Sequence, residues 1–181
     1  MNEKMKKIKE ILEKKAAFDD AITLLNWDLE TEAPRMAIEK KSKTLNYLSG
    51  ESYSTVINDE FQELVYSVDE NDLNELDRKI IQEIKKETFE KMKKIPKEDY
   101  QKYSEIVLVA SRVWERAKNE NNYEIFKDYL KQIIEYNKKF IKLRGYEGHP
   151  YNTLLDDYEP EMTVVELDEF FEKVRTELSP L

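Results

Sequence analysis

The stretch that decides the fold class is residues 96–119, PKEDYQKYSEIVLVASRVWERAKN. Its large apolar and aromatic residues recur every three or four positions, which is the period of a helix; they are Tyr100, Tyr103, Val107, Ala110, Trp114 and Ala117. The central run 106–110 is apolar on every side and would also fit a buried strand. No turn residue flanks that run, however, and the helical spacing continues on both sides of it. We therefore predict a central, fully enclosed helix with Trp114 in the core.

Pro96 suits the first turn of this helix, because its missing N–H would have no partner there. Glu98 and Asp99 follow at the positive end of the helix dipole. Both features support a helix that begins close to Pro96.

The glycine count extends this interpretation to the whole chain. Only Gly50, Gly145 and Gly148 occur in 181 residues. Sheet-rich folds use glycine in hairpin turns, and nucleotide-binding folds use it in phosphate loops. We predict an all-α fold, a multi-helix array of about seven helices.

Charge and cysteine content exclude several classes of protein. The formal net charge is −9, which argues against nucleic acid or an anionic membrane as a partner, because both need a cationic surface. No apolar run approaches the roughly 20 residues that span a bilayer. The first residues carry alternating charges, so we expect no signal peptide. Without cysteine there is no disulfide framework and no thiolate metal site, and we expect a cytoplasmic location.

Periodicity predicts the remaining helices at approximate positions. They are residues 2–30, 35–48, 54–67 and 72–94, a helix opening at Asn121, a short turn near 153–158, and residues 163–178. We expect the second helix to end at Gly50 with positive φ. Asn71 or Asp72 is the expected cap of the fourth.

Two four-residue patterns are typical of capping boxes at helix starts. One is Asn121 with Glu124, and the other is Thr163 with Glu166. Each pairs a polar cap with a carboxylate three residues later.

Residues that could carry chemistry are few. A catalytic zinc site commonly uses two or three histidines, whereas His149 is the single histidine of the chain, and we interpret it as structural. Four nearby carboxylates could hold a hard cation, but their spacing fits no EF-hand loop; they are Asp156, Asp157, Glu159 and Glu161. We interpret them as capping and solvating groups, and we expect no catalytic, cofactor-binding or metal-binding residue.

Trp27 and Asp28 lie near the end of the first helix, followed by Thr31 and Pro34. The simplest interpretation is a buried indole that anchors the helix end. Asp28 or Thr31 would then cap nearby backbone groups.

Two stretches resemble a known family. Residues 27–34 resemble the W-D-x-x-T-x-M-P segment of the carboxypeptidase Taq family of metallocarboxypeptidases, and residues 149–160 resemble its h-P-Y-D-x-L-L-D-x-Y-E-P-G segment. Residues 114–117 and 122–126 resemble the helix pair between those segments. The likeness extends from the first helix to Leu181.

Three positions depart from the family pattern: Ala33 stands in place of Met, Asn152 in place of Asp, and Glu161 in place of Gly. These substitutions bear on the fine geometry of the turns formed by the two family-like segments. The chain is also much shorter than typical members of the family.

The resemblance implies a large helical enzyme with a central cleft. Its zinc or cobalt ion is held by an H-E-x-x-H helix and a downstream glutamate, all expected beyond position 181. Residues 1–181 would then be a single helical N-terminal region, a lid and wall that lacks the catalytic part and is inactive alone. Peptide substrate is expected to bind only in the full-length enzyme.

A lid on its own should expose apolar faces. We expect these faces on the fourth and last helices, and self-association into a homodimer through them; the residues are Leu73, Leu76, Phe170, Phe171 and Leu178. The alternative is a self-sufficient helical interaction module with no enzymatic activity.

Overall fold

The chain is all-helical in a computed structural model that describes residues 3–178, and no strand occurs in that range. The described part contains seven α-helices of eight or more residues and one single α-helical turn: α1 Glu3–Thr31, α2 Ile38–Val56, α3 Asp59–Tyr66, α4 Glu75–Glu83, α5 Lys97–Asn119, α6 Glu124–Arg144, α7 Asn152–Leu155 and α8 Val164–Leu178. This confirms the predicted fold class. The predicted start of the first helix at residue 2 lies outside the described residues. Within residues 3–178, no helix combines the length and the apolar character that crossing a bilayer requires.

The fourth predicted helix changes its winding along its length. After α4 it continues as a π-helix over Ile84–Lys91 and ends in a 3-10 turn over Met92–Lys94. Ile84 and Phe89, five residues apart, are both buried. Backbone hydrogen bonds in a π-helix join residues i and i+5, so this winding brings both side chains towards the core.

The start of α4 differs from the prediction. Asn74 is the cap, since its Oδ1 accepts from the Asp77 N–H at 2.9 Å. The predicted caps, Asn71 and Asp72, belong instead to a separate 3-10 turn.

The contacts divide the chain into two compact units, Met1–Ile133 and Ile134–Leu181. The main core lies in the first unit, where residues of α1, α2, α3, α4 and the π-helix pack together. Its fully buried members include Met5, Ile8 and Phe61.

One ion pair joins α1 to α4 beside this core. Lys9 Nζ lies 2.6 Å from Asp77 Oδ1, and the Asp77 side chain is only 9% exposed. Asn74 Nδ2 donates to the other carboxylate oxygen at 2.9 Å. The Asp77 carboxylate is therefore buried with both a cation and a hydrogen-bond donor.

Gly50 lies inside α2 and does not end it, so the predicted helix end is wrong. The glycine is buried where α5 approaches α2, and a Cβ atom there would collide with Nε2 of Gln101. Gln101 Nε2 also donates to the Asn46 carbonyl at 3.2 Å. Glycine therefore permits a close helix contact here.

α5 is less enclosed than predicted. Ile106 and Ala110 are buried, but Val107 is 39% exposed and Trp114 is 50% exposed. α5 packs against α2, and that contact covers only one side of the helix.

The start of α6 uses a different cap from the one predicted. The Asn122 Oδ1 accepts from the Glu124 N–H at 3.2 Å, and Asn121 adopts a φ of 48°. Asn121 therefore turns the chain, and its neighbour caps the helix.

Candidate functional site

The first family-like segment forms the end of α1. The Thr31 hydroxyl donates to the Trp27 carbonyl at 2.8 Å, and the Asp28 carboxylate forms an ion pair with Lys41 of α2. The hydrogen bond lies within α1, and the ion pair joins the end of α1 to α2. The indole of Trp27 is 69% exposed, so the predicted buried anchor is wrong.

An open groove of about 700 Å³ lies between α2 and α5, next to the 3-10 turn that precedes α2. Apolar side chains line it together with polar and charged ones; they are Met36, Ile38, Glu39, Ser42, Lys43, Asn46, Glu105 and Val109. The Glu39–Lys43 hydrogen bond (2.8 Å) lowers the pKa of the Glu39 carboxyl and raises the pKa of the Lys43 ammonium. The groove offers contact surface of mixed polarity, with no imidazole or thiol among its lining residues.

The second family-like segment is a loop held by its own side chains. Asn152 Oδ1 accepts from the Val164 N–H at 2.9 Å, at the start of α8. Asn152 Nδ2 donates to the Glu147 carbonyl at 3.4 Å, and the Thr153 hydroxyl donates to the Gly145 carbonyl at 3.3 Å. The loop thus connects the end of α6 to the start of α8 through local hydrogen bonds.

The carboxylates of this loop have structural partners. Asp157 binds the Arg144 guanidinium with two contacts of 2.7 Å, a bidentate arrangement that fixes orientation as well as distance. Asp156 Oδ1 accepts from the Glu161 N–H at 2.8 Å. Glu161 has a φ of 70°, in the left-handed region that a β-carbon disfavours.

The capping box at α8 is confirmed. The Thr163 N–H and hydroxyl both donate to Glu166 Oε2, at 2.9 and 2.8 Å, and the Glu166 N–H donates to the Thr163 hydroxyl at 3.3 Å. This reciprocal pairing satisfies the first turn of the helix.

In residues 3–178, the side chains that could bind a metal ion do not form a cluster. His149 is exposed in the loop, and its Nδ1 accepts from the Tyr151 N–H at 3.2 Å. Across residues 3–178 there is no group of three or more His, Cys, Asp or Glu side chains that could hold a metal. Asp156 and Asp157 already bind the backbone and Arg144.

Apolar side chains are exposed on two helices, much as the sequence predicts. Leu76 of α4 is 67% exposed, and Phe170, Phe171 and Leu178 of α8 are 57–59% exposed. Leu73 is the exception: it is buried within the core cluster because it lies before α4, where the chain turns inward. The sequence did not predict the exposed indoles of α1 and α5, because periodicity places a residue on a helix face without showing what covers that face.

Comparison with known proteins gives consistent results. A family model described as carboxypeptidase Taq (M32) metallopeptidase matches residues 7–181. Carboxypeptidase 1 of Bacillus subtilis is 35% identical over 174 residues, which cover 95% of this chain and 34% of that protein. Thermostable carboxypeptidase 1 of Pyrococcus furiosus is 32% identical over 179 residues, which cover 96% of this chain and 36% of that protein.

The fold is also that of a solved structure. The crystal structure of BsuCP superimposes with a TM-score of 0.92 at 34% identity, over 97% of this chain and 35% of the other. This chain therefore spans about a third of the length of the proteins that it matches.

Proposed function

Because this chain belongs to the carboxypeptidase Taq (M32) metallopeptidase family, we propose that it is part of a metal-dependent carboxypeptidase that releases C-terminal amino acids from peptides. The observation that carries the proposal is the family match over residues 7–181. Its support in structure is the close superposition on BsuCP along nearly the whole chain.

In this proposal the catalytic residues and the zinc or cobalt ion lie outside these 181 residues, and the chain alone is inactive. The donor chemistry supports this. The single imidazole, that of His149, is exposed and accepts a backbone hydrogen bond. The Asp157 carboxylate binds Arg144, and the Asp156 carboxylate accepts from the Glu161 N–H. The metal of the complete enzyme would supply Lewis-acid chemistry at the peptide bond.

The role proposed for this chain is to form a helical wall of the enzyme, with peptide substrate bound only in the full-length protein. Three sets of contacts support it: the Lys9–Asp77 ion pair, the Asp28–Lys41 ion pair and the hydrogen-bonded loop around Asn152. Each joins one helix to another, so each stabilises the scaffold.

The experiment compares the 181-residue chain with the polypeptide encoded by the complete reading frame. Both are incubated with a peptide that has a free C-terminus and with the same peptide amidated there; released amino acids are measured by mass spectrometry and bound metal by elemental analysis. We expect the complete polypeptide to bind metal and to cleave only the free-ended peptide, and the 181-residue chain to do neither. Metal-dependent release by the short chain, or an inert metal-loaded complete polypeptide, would contradict the proposal.

The second candidate function is an interaction module without enzymatic activity. The observation that favours it is the set of exposed apolar side chains on α4 and α8, since monomers rarely leave large apolar patches uncovered. A reading frame that stops at Leu181 would favour this candidate, and one that encodes H-E-x-x-H would favour the enzyme.

For the isolated chain we propose a homodimer through these exposed faces, and we propose neither nucleic acid nor a membrane as a partner. The net charge of −9 opposes both of those partners and also weakens self-association. Sedimentation should therefore show a dimer that salt strengthens, because salt screens the repulsion between copies. A monomer at every salt concentration would argue against it. The absence of cysteine supports a cytoplasmic location.

A further inference from the structure

α8 presents an apolar stripe that nothing in its own unit buries. None of its 15 residues, all of them described, is buried. Phe171 and Leu178 are 57% and 59% exposed, and Leu167 and Val174 are half-buried. The spacings of four, three and four residues place these side chains in one row along the helix, and Phe170 lies beside them in edge contact with Phe171, its ring centroid 5.5 Å away.

The rims of this stripe are acidic. α8 carries five carboxylates and only two basic residues, Lys173 and Arg175. At 100° per residue, Arg175, Asp168 and Glu172 border one side of the stripe. Glu166 and Glu177 border the other side, so each rim carries two carboxylates. Arg175 forms an ion pair with Glu172. A partner helix would therefore meet carboxylates on both sides of its apolar contact.

We propose that the α8 stripe is the docking site for an amphipathic helix with Lys or Arg along its rims, and that this helix belongs to the remainder of the carboxypeptidase polypeptide. The inference rests on the proposed function. Two observations select this occupant: the matched proteins are about three times as long as this chain, and the acidic rims call for a basic partner.

A second copy of this chain is a poorer occupant of the same stripe. Pairing α8 with α8 would bring together two helices that each have three more carboxylates than basic groups, and like charges across an interface oppose binding. The spacing of Leu167, Phe171, Val174 and Leu178 follows the a/d pattern of packed helices. α8 is about 22 Å long at 1.5 Å per residue, so the docking helix should contribute about four turns.

The absence of cysteine from residues 1–181 allows a direct test by thiol labelling. Phe171→Cys places a thiol on the stripe, and Thr176→Cys places the matched control five residues later, on the opposite face of the same helix. Both positions are exposed in the isolated chain, so both substitutions should leave the fold intact, which circular dichroism checks. Phe170→Cys serves as a second probe of the stripe. Labelling is quantified on the peptide that contains each site.

In the first arm, each variant is labelled in the 181-residue chain, at a protein concentration at which sedimentation shows a monomer, and in the polypeptide of the complete reading frame. We expect the Phe171→Cys site to react at least tenfold more slowly in the complete polypeptide, and the Thr176→Cys site to change less than twofold. In the second arm, the short chain is thiol-labelled in the presence of one of two synthetic 15-residue helical peptides. The two peptides share the same leucine stripe and differ in their rims. We expect the peptide with lysine rims to protect the Phe171→Cys site, and the peptide with glutamate rims to leave it unprotected.

Three results would overturn the inference. Equal labelling of the Phe171→Cys site in the short and complete chains would show that the remainder of the polypeptide does not cover the stripe. Protection of the complete chain that grows with protein concentration would show that a second copy covers it. Equal protection by the two peptides would show that charge does not select the partner.

Carboxypeptidase activity of the complete polypeptide separates this inference from the proposed function. Activity without protection of the stripe would leave the enzyme proposal standing and reject the docking site. Protection of the stripe without carboxypeptidase activity would leave the docking site standing and reject the enzyme proposal.

Discussion

Removing the cation of the buried ion pair should be among the most damaging single changes in the first unit. Lys9→Met keeps most of the side-chain volume but leaves the Asp77 carboxylate, 9% exposed, without its cation. Breaking a fully buried pair costs about 3–5 kcal/mol. The Lys9 side chain is 38% exposed, so water reaches the pair, and we expect a loss of about 2–3 kcal/mol in the free energy of unfolding.

A loss of that size is readily measured. For a chain of this length, each kcal/mol lowers Tm by about 2–4 °C, so Lys9→Met should melt roughly 5–10 °C below the wild type. Thermal and urea unfolding would be followed by circular dichroism at the helix band and by tryptophan fluorescence. Both tryptophans, Trp27 and Trp114, lie in the first unit, so fluorescence reports on the part that holds the pair.

The control lies one helical turn earlier. Lys6 pairs with Glu10 at 3.8 Å on the surface, with both side chains about 60% exposed, and Lys6→Met should change stability by no more than about 0.5 kcal/mol. A second control is the double variant with Asp77→Asn, in which no buried charge is left unpaired, so it should be more stable than Lys9→Met alone. If Lys9→Met costs no more than Lys6→Met, the pair does not hold α1 against α4.

Three other predictions concern backbone strain, helix contact and pH. Glu161→Gly should raise the stability by about 0.5–1 kcal/mol, since glycine adopts the observed φ of 70° without penalty; a less stable variant in urea unfolding would contradict this. Gly50→Ala should leave the free energy of unfolding nearly unchanged, because the higher helix propensity of alanine, worth about 1 kcal/mol, is offset by displacement of the Gln101 side chain. In a Gln101→Ala background the same substitution should stabilise the chain by about 1 kcal/mol. Equal effects in the two backgrounds would refute the contact between Gly50 and Gln101. Burial raises the pKa of the Tyr53 and Tyr100 hydroxyls. Their contribution to stability is therefore present below about pH 10 and lost as the pH rises through the folded-state values, and the alkaline decline should be smaller when both are replaced by phenylalanine.

The existence of the helices could be predicted from the sequence. The start of a helix could be predicted only where a single polar side chain is available as the cap. Thr163 has Glu166 in the right place and no polar neighbour to rival it, and its predicted capping box is present. Before α4 and α6 several Asn and Asp residues lie close together, and the cap is Asn74 or Asn122 and not its predicted neighbour. Residue type alone does not distinguish between adjacent caps of similar strength.

Exposure could not be predicted in the same way. The period of α5 places Trp114 on an apolar face, yet the indole is half exposed. Gly50 looked like a helix end, but its role depends on Gln101, which is 51 residues away in the chain. Both features depend on contacts between helices, which periodicity within one helix does not contain.

The loop of residues 145–163 shows why a stretch without catalytic chemistry can still be tightly specified. Asn152 accepts the Val164 N–H through its Oδ1, a role that the aspartate of the family pattern can fill equally well, so this departure preserves the start of α8. Glu161 keeps the left-handed turn that glycine would adopt without strain, and Asp156 holds its N–H. The side chains of this segment thus fix where α8 begins relative to the end of α6. They thereby determine where the apolar stripe of α8 faces, which makes the segment a positioning element for the docking site proposed above.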